Sequence, residues 1–263
     1  MYRAGRFVWP LLLIVVGVLL LLDTLSGGTF DAGAFIGRWW PLLLVAVGVA
    51  ILVDVTWRPG PRRDVPVAVD LAGAQAADVR IDFGAGRLEV GPASAGKLLE
   101  GVLGGGGRVE SDGHGHARLR ADGEWWSGWG PGWAGFHWRV GLTREVPLSL
   151  HVHGGASDTL LDLTELRVVD VDVHTGASET RIALPRAAGW TAVQVEAGAA
   201  AVRLRIPQGV AARISGQMAL GAATVDERRF PRAGLGWASP DWTTATNRVE
   251  ITYRGGVGGV TVE

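Results

Sequence analysis

Histidine and carboxylate side chains recur at equivalent positions of a repeated segment in the second half of the chain. When the repeats are aligned, His153, His174 and Glu196 fall in one column. A second column holds His151, Asp172 and Gln194. Neighbouring strands of a sheet lie about 4.8 Å apart, so the side chains of one column would come within reach of a single metal ion. Histidine and carboxylate are ordinary zinc ligands, but a repeat also needs polar residues on its outward face, and the sequence favours that simpler interpretation.

The residues that could carry out catalysis lack the spacing of a recognisable catalytic motif. Ser157 and Ser178 occupy equivalent turns of the repeat, which favours turn hydrogen bonding over a role as a nucleophile. The glycine run over residues 104–107 is not followed by the Lys-Ser/Thr pair of a phosphate-binding loop. The chain has no cysteine, which excludes disulfides, thiolate metal sites and cysteine nucleophiles. We therefore expect a protein that is not an enzyme and that holds no cofactor.

A repeated unit of strand, Gly-Ala-small turn and strand positions these side chains, and its residues alternate between apolar and polar as in a sheet with one buried face. The turn glycines Gly155, Gly176, Gly198 and Gly221 are 21, 22 and 23 residues apart. Such a period predicts stacked coils that bury a continuous core. The two inward columns would be Val152, Val173 and Val195, and Leu150, Val171 and Val193. The predicted fold is an all-β repeat domain, either a β-solenoid or a layered β-sheet of coil-like repeats, with a sandwich of hairpins as the alternative.

A glycine- and tryptophan-rich insertion interrupts the repeats between about residues 95 and 145. Its tryptophans are Trp125, Trp126, Trp129, Trp133 and Trp138. Exposed aromatic clusters mark contacts with partners or membranes, and the first four are our candidates for such a contact. The alternative is that some of these side chains close the open end of the β core.

Two apolar runs in the first fifth of the chain match each other position by position, so that Trp9 corresponds to Trp40. Each run is nearly uncharged and approaches the roughly 17–20 residues that cross a bilayer. We therefore predict a hairpin of two transmembrane helices, over about residues 7–25 and 39–56. Trp9, Trp39, Trp40 and Trp57 lie where an interfacial aromatic belt would be. A buried hairpin and a signal peptide are the alternatives, but a signal peptide explains only one of the two runs.

The distribution of arginine predicts the orientation of this hairpin in the bilayer. Two arginines precede the first run and three follow the second within residues 58–63, whereas the loop between the runs carries only Arg38. Positively charged flanks remain in the cytoplasm, so both termini are predicted to be cytoplasmic. The net charge of −1 gives no reason to expect a nucleic-acid partner. The predicted regions are a hairpin over residues 1–58, a linker over 59–77 and a β-repeat domain over 78–263.

The duplicated Trp-Pro-Leu-Leu-Leu-x-x-x-Gly-Val hairpin resembles the bacterial LiaI/LiaF-type transmembrane region. The block from Trp138 to Asp158, which continues to the Gly-Ala-Ser of residues 176–178, is similar to the β-repeat domain of LiaF-like proteins. These are also called cell-wall-active-antibiotic-response proteins. The resemblance implies a non-enzymatic regulator in the bacterial cell membrane that serves the envelope-stress response and modulates a sensor histidine kinase through protein contacts.

Two other functions stay open at the level of the sequence. Stacked coils with open ends could assemble end to end into a homo-oligomeric scaffold on the membrane. The terminal copy, residues 251–262, favours this because it carries little charge that would protect an edge strand. The histidine columns would instead suit a sensor of an envelope ligand or a metal.

Overall fold

Thirteen strands join in one mixed β-sheet in the part of the chain that the computed structural model describes, residues 64–121, 136–187 and 189–263. These residues belong to one of two compact units, formed by residues 62–122 and 135–263. The other unit, residues 1–61 and 123–134, lies outside the described residues, and so do both predicted membrane spans. Within the described ranges, no helix combines the length and the apolar character needed to span a bilayer.

The strands vary from two to 16 residues in length. In chain order they are β1 (Val65–Asp70), β2 (Ala77–Pro92), β3 (Lys97–Gly104), β4 (Arg108–Ser111), β5 (His116–Arg120), β6 (His137–Leu142), β7 (Leu148–Asp162), β8 (Val168–Ala183), β9 (Trp190–Arg205), β10 (Ala211–Val225), β11 (Arg232–Ala233), β12 (Gly236–Ala238) and β13 (Arg248–Val262). The six long strands lie side by side in the order β2-β7-β8-β9-β13-β10, and all of them are parallel.

The parallel register identifies the repeats as stacked coils rather than hairpins. The short connection between β7 and β8 leads the chain back to the start of β7, so that Leu148 lies beside Val168. A hairpin would pair these consecutive strands antiparallel, which is the arrangement that a sandwich of hairpins requires. The domain is therefore all-β and is built from coil-like repeats, as the period of the glycine turns predicts.

The glycine turns change which residues of each strand face the core. In β8, Val171 and Val173 are buried before the turn, and Thr180 and Ile182 are buried after it, so the inward positions switch from odd to even. We call the residues before and after this turn the first and second halves of a strand. The turns need glycine because neighbouring coils approach closely there: a Cβ on Gly155 would collide with the carbonyl oxygen of Gly84.

The core runs through the coils as columns of aliphatic side chains. Val152 pairs with Val173 and Val173 with Val195, and all three are buried, as the alignment of the repeats predicts. The second predicted column, Leu150, Val171 and Val193, is also aligned and buried. Each fully buried aliphatic side chain contributes roughly 1.5–3 kcal/mol relative to an exposed one, and the coils share this contribution only when they stack.

Short strands close the β2 end of the array. The first half of β2 pairs with β5, which pairs with β4, and the second half pairs with β6, followed by β3 and β1. The segment that interrupts the repeats, residues 95–145, thus supplies β3 to β6, and β1 lies inside the segment that the sequence suggests as a linker. Trp138 is fully buried in β6, with its ring centroid 5.1 Å from that of Phe83. This tryptophan closes the core at the β2 end.

The opposite end of the array differs from the expectation for the terminal copy. β13, which contains residues 251–262, lies between β9 and β10 and pairs with both. The expectation that this copy forms an exposed edge is therefore wrong, because the chain places its last strand inside the sheet. β10 is the last long strand, and β12 covers only Arg213 and Ile214 of it.

Candidate functional site

A row of charged and histidine side chains crosses the first halves of five neighbouring long strands on the outward face of the sheet. The parallel register sets His153 beside His174 and His174 beside Glu196, which is the column predicted from the repeats. The register adds Asp82 of β2 at one end and Arg254 of β13 at the other. We call these five residues the polar ladder.

The two histidines form the middle of the polar ladder. Their rings stack, with centroids 5.0 Å apart and an angle of 27° between the planes. In His174, Nδ1 lies 3.2 Å from Oε2 of Glu196 and Nε2 lies 3.0 Å from Oδ1 of Asp172. His174 therefore lies between two carboxylates, one on its own strand and one on β9.

Asp82 anchors the β2 end of the polar ladder. Its Oδ2 accepts hydrogen bonds from Nε of Arg118 at 2.7 Å and from Nε of Arg120 at 3.4 Å, and its Oδ1 lies 3.4 Å from Nδ1 of His153. Partial burial acts to raise the pKa of the Asp82 carboxyl, but the hydrogen bonds and charges of Arg118, Arg120 and His153 outweigh it. The pKa of Asp82 therefore lies below its ordinary value, and this end of the ladder holds a stable negative charge.

At the other end, Glu196 connects the histidines to an arginine. Its Oε1 lies 3.1 Å from Nη1 of Arg254, while its Oε2 faces His174. Carboxylates therefore lie on both sides of the stacked histidine pair, and Arg254 follows Glu196 at the far end. These groups are partly exposed, so each pair adds only modestly to stability; together they fix the positions of the side chains.

Four of the five residues of the polar ladder line a groove of about 810 Å³ that crosses the strands at their glycine turns. His153, His174, Glu196 and Arg254 contribute side chains to its wall, and Gly154, Gly198, Gly255 and Gly256 leave backbone exposed beside them. Gln217 and Met218 of β10 form its far end. The groove combines fixed charges with accessible backbone, which suits recognition of a polar or charged segment of another molecule.

The candidate metal ligands do not converge on one point. In the described part of the chain, no group of three or more histidine, aspartate or glutamate side chains is arranged to hold a metal ion. His153 faces Asp82, whereas His174 faces Asp172 and Glu196. The columns are aligned as predicted, but their side chains pair with one another.

The two repeat serines make the same local contacts, as turn residues should. Oγ of Ser157 lies 3.1 Å from Oγ1 of Thr159, and Oγ of Ser178 lies 3.1 Å from Oγ1 of Thr180. Thr159 and Thr180 are buried, so these pairs satisfy hydroxyl groups inside the turn. Neither serine has a neighbouring general base in these contacts.

The predicted contact tryptophans Trp125, Trp126, Trp129 and Trp133 lie outside the described residues, and so do the predicted interfacial tryptophans Trp9, Trp39, Trp40 and Trp57. Both sets stay predictions.

Sequence reasoning missed four members of the charged network: Asp82, Arg254, Arg118 and Arg120. The signal for Asp82 and Arg254 is present, since each precedes a glycine turn at the position that His153 and His174 occupy in their own copies. Arg118 and Arg120 lie in β5, outside the repeats, and their contacts with Asp82 follow only from the pairing of β5 with β2. No pattern in the chain predicts that pairing.

The described part of the chain is thus a β-repeat domain of parallel coils with a polar groove on its outward face. A family model described as the N-terminal domain of toast_rack, DUF2154, matches residues 58–205, which is more than half of the chain. The chain therefore belongs to the toast-rack family. The model of the LiaF transmembrane domain matches residues 8–65, at the start of the same chain. Together the two matches make the chain a LiaF-like membrane protein with a β-repeat domain, as the hairpin and repeat motifs indicate.

A solved structure with a similar fold is the crystal structure of a candidate cell adhesion protein from Clostridium sporogenes. It has a TM-score of 0.69 and 16% sequence identity, over 76% of this chain and 98% of that chain. At this identity the likeness shows the fold alone. No protein of curated function matches the chain.

Proposed function

We propose that this chain is a non-enzymatic, membrane-anchored regulator of the bacterial envelope-stress response that modulates a sensor histidine kinase through protein contacts. The observation that carries the proposal is the order of its parts. A segment matching the LiaF transmembrane domain ends at residue 65, and the toast-rack match covers residues 58–205. The polar groove lies in the β-sheet that follows the first segment. The anchor would hold the groove close to membrane proteins, and the sheet would present it as a rigid surface.

The chemistry of the groove favours a protein partner over a substrate. Its histidine and carboxylate groups are engaged in pairs with each other, as in Glu196 with His174 and Arg254. A partner with its own charged groups could exchange contacts with such partly exposed pairs, because little desolvation is needed to open them. Electrostatic complementarity of this kind sets specificity and association rate more than affinity, which suits a regulatory contact.

The partner contact can be tested by reversing one charge of the groove. Glu196→Lys would set a cation beside His174 and Arg254, and we expect the amount of sensor kinase that co-purifies from solubilised membranes to fall at least about tenfold, equivalent to about 1.4 kcal/mol. Glu179→Lys is the matched control: the two glutamate side chains are 43% and 42% exposed and both pair with arginine, but Glu179 lies in the second half of β8. Equal recovery of the kinase with both variants would contradict a role for the groove.

The proposed orientation places the β-domain in the cytoplasm, where it would meet the cytoplasmic part of a kinase. Because the chain has no cysteine, one cysteine introduced at Leu235, which is fully exposed, reports the side of the membrane. We expect an impermeant thiol reagent to label Leu235→Cys in lysed cells and to leave it unlabelled in intact cells. A cysteine in the loop between the two predicted spans is the positive control. Labelling of Leu235→Cys in intact cells would put the groove on the outer side and overturn the cytoplasmic kinase contact.

A further inference from the structure

β10 presents an unpaired edge along most of its length. On one side it pairs with β13 from Ala211 to Val225, but on the other side β12 reaches only Arg213 and Ile214. Within the described residues, no strand pairs with the free side of residues 215–225. Such an edge offers backbone N–H and C=O groups to another strand.

This edge lacks the charged residues and prolines that often protect an exposed strand. Residues 215–225 include neither a charged residue nor a proline. Leu220 is 68% exposed, and Val257, its partner in β13, is 56% exposed. The edge therefore adds an apolar patch to its free backbone groups, which is the combination that favours strand addition.

The edges at the opposite end of the sheet are protected. β1 contains Pro66, which has no N–H to donate, and it ends at Asp70. β4 carries Arg108 and Glu110 on its four-residue length. Strands of this kind resist pairing with another chain, so the array has one receptive end.

We propose that residues 215–225 of β10 pair antiparallel with the same segment of a second copy of this chain, which closes the receptive ends of both copies in a two-fold dimer. An uncharged strand is complementary to itself. Arg213 precedes the uncharged segment and Asp226 follows it, so an antiparallel copy sets opposite charges across each end of the contact. The contact is isologous and closes after two copies.

This dimer goes beyond the proposed regulatory contact and also differs from an end-to-end scaffold. An end-to-end scaffold requires the unpaired β10 edge of one copy to pair with a strand edge at the β2 end of the next copy. The edges at the β2 end carry proline and charged residues, which oppose such pairing. The β10 edge and the end of the groove share Gln217 and Met218, so dimerisation would bring two grooves close to one symmetry axis.

Cysteine cross-linking of the full-length chain in native membranes tests the dimer. Single cysteines are placed in turn at residues 218, 219, 220, 222, 223 and 224, and Gly221 is left out because an added Cβ would collide with the carbonyl oxygen of Gly258. Each variant is treated with a short bismaleimide, which reacts only with the introduced thiol because the chain has no cysteine. We expect at least about ten times more cross-linked dimer from Leu220→Cys than from the control Leu160→Cys, which is 43% exposed in the second half of β7. Adding Thr224→Lys to the Leu220→Cys chain should abolish the cross-link, because it introduces a charge into the edge.

Several results would overturn the proposal. Equal cross-linking from residues 160 and 220 would mean that copies meet by collision or through their membrane segments. Absence of cross-links from all six of these positions would mean that this edge meets no second copy. A cross-link to a different protein would assign the edge to another partner. Persistence of the cross-link after Thr224→Lys, with an unchanged melting temperature of the chain, would exclude strand pairing.

Discussion

Asp82 is the residue on which the polar ladder depends most, because one carboxylate there accepts contacts from two arginines and one histidine. Arg118 donates from both Nε and Nη2, at 2.7 and 2.6 Å, to the same oxygen. Charge-assisted pairs of this geometry are stronger than neutral hydrogen bonds, although the exposure of the arginines weakens them. Asp82 also connects β2 to β5 and β7, so it supports the closed end of the sheet as well as the groove.

Replacing Asp82 by asparagine should lower the stability of the β-domain by about 1 kcal/mol at neutral pH, because exposed ion pairs contribute at most about that much. The pKa of Asp82 is below its ordinary value in the folded protein, so the stabilisation is complete above the ordinary value and is lost as the pH falls through the folded value. The melting temperature of the native chain should therefore approach that of Asp82→Asn as the pH falls below about 4.

The control for this prediction is Asp78→Asn, which removes an exposed carboxylate whose nearest ion-pair partner is His116 at 4.0 Å. We expect it to change the melting temperature little at any pH. If Asp78→Asn and Asp82→Asn gave the same melting temperature at neutral pH, the arginine contacts would not stabilise the fold.

Some of these residue contacts can be predicted from the sequence. The repeat alignment places His153, His174 and Glu196 in one row because the parallel register follows the glycine turns. The alignment does not give the direction in which each ring nitrogen points. That direction decides whether the side chains pair with one another or bind a metal. The contact of Arg118 with Asp82 depends on a strand pairing outside the repeats, so it could not be predicted.

The element that determines the fold is the coil with its glycine turn. Neighbouring coils meet there through backbone atoms, as a Cβ built on Gly176 would lie only 3.0 Å from the carbonyl oxygen of Gly155. A side chain at these positions would push adjacent coils apart and disturb both halves of each strand. The absence of a side chain also keeps the groove open beside the polar ladder.

Two glycine variants test the packing of the turns. Gly155→Ala should destabilise the β-domain by about 1–3 kcal/mol, the usual cost of overpacking a filled site, because the new methyl group meets the backbone of Gly84. Gly84→Ala should have almost no effect, since nothing lies within 4 Å of its added Cβ. Thermal unfolding of the two variants checks this difference, and equal melting temperatures would show that the turns do not need glycine for close packing.

The repeated pattern predicts the coils well but not their order at the ends of the array. Local alternation and glycine spacing determine which residues face inward. The insertion of β13 between β9 and β10 depends on the route of residues 226–247, which include β11 and β12. Likewise, β5 and β6 alternate between exposed and buried residues but are only five and six residues long, so nothing in their sequence indicates that they pair with β2.

At the scale of the molecule, an anchor and a rigid β-array belong to one chain. The match to the LiaF transmembrane domain indicates that the chain is a membrane protein. The match to the toast-rack domain identifies its family. The parallel sheet fixes the groove by register rather than by loops, and its free β10 edge offers a second surface. In our account, the hairpin localises the domain, the groove contacts the partner, and the edge joins two copies.

The most direct test of the regulatory function is the output of an envelope-stress reporter in cells that lack the protein. We predict that deletion changes reporter output under a cell-wall antibiotic, and that the native chain restores it. The matched control Glu179→Lys should restore it as well, whereas Glu196→Lys should fail although it reaches the membrane in equal amount. An unchanged reporter in the deletion strain would contradict the regulatory function, and full restoration by Glu196→Lys would contradict the role of the groove.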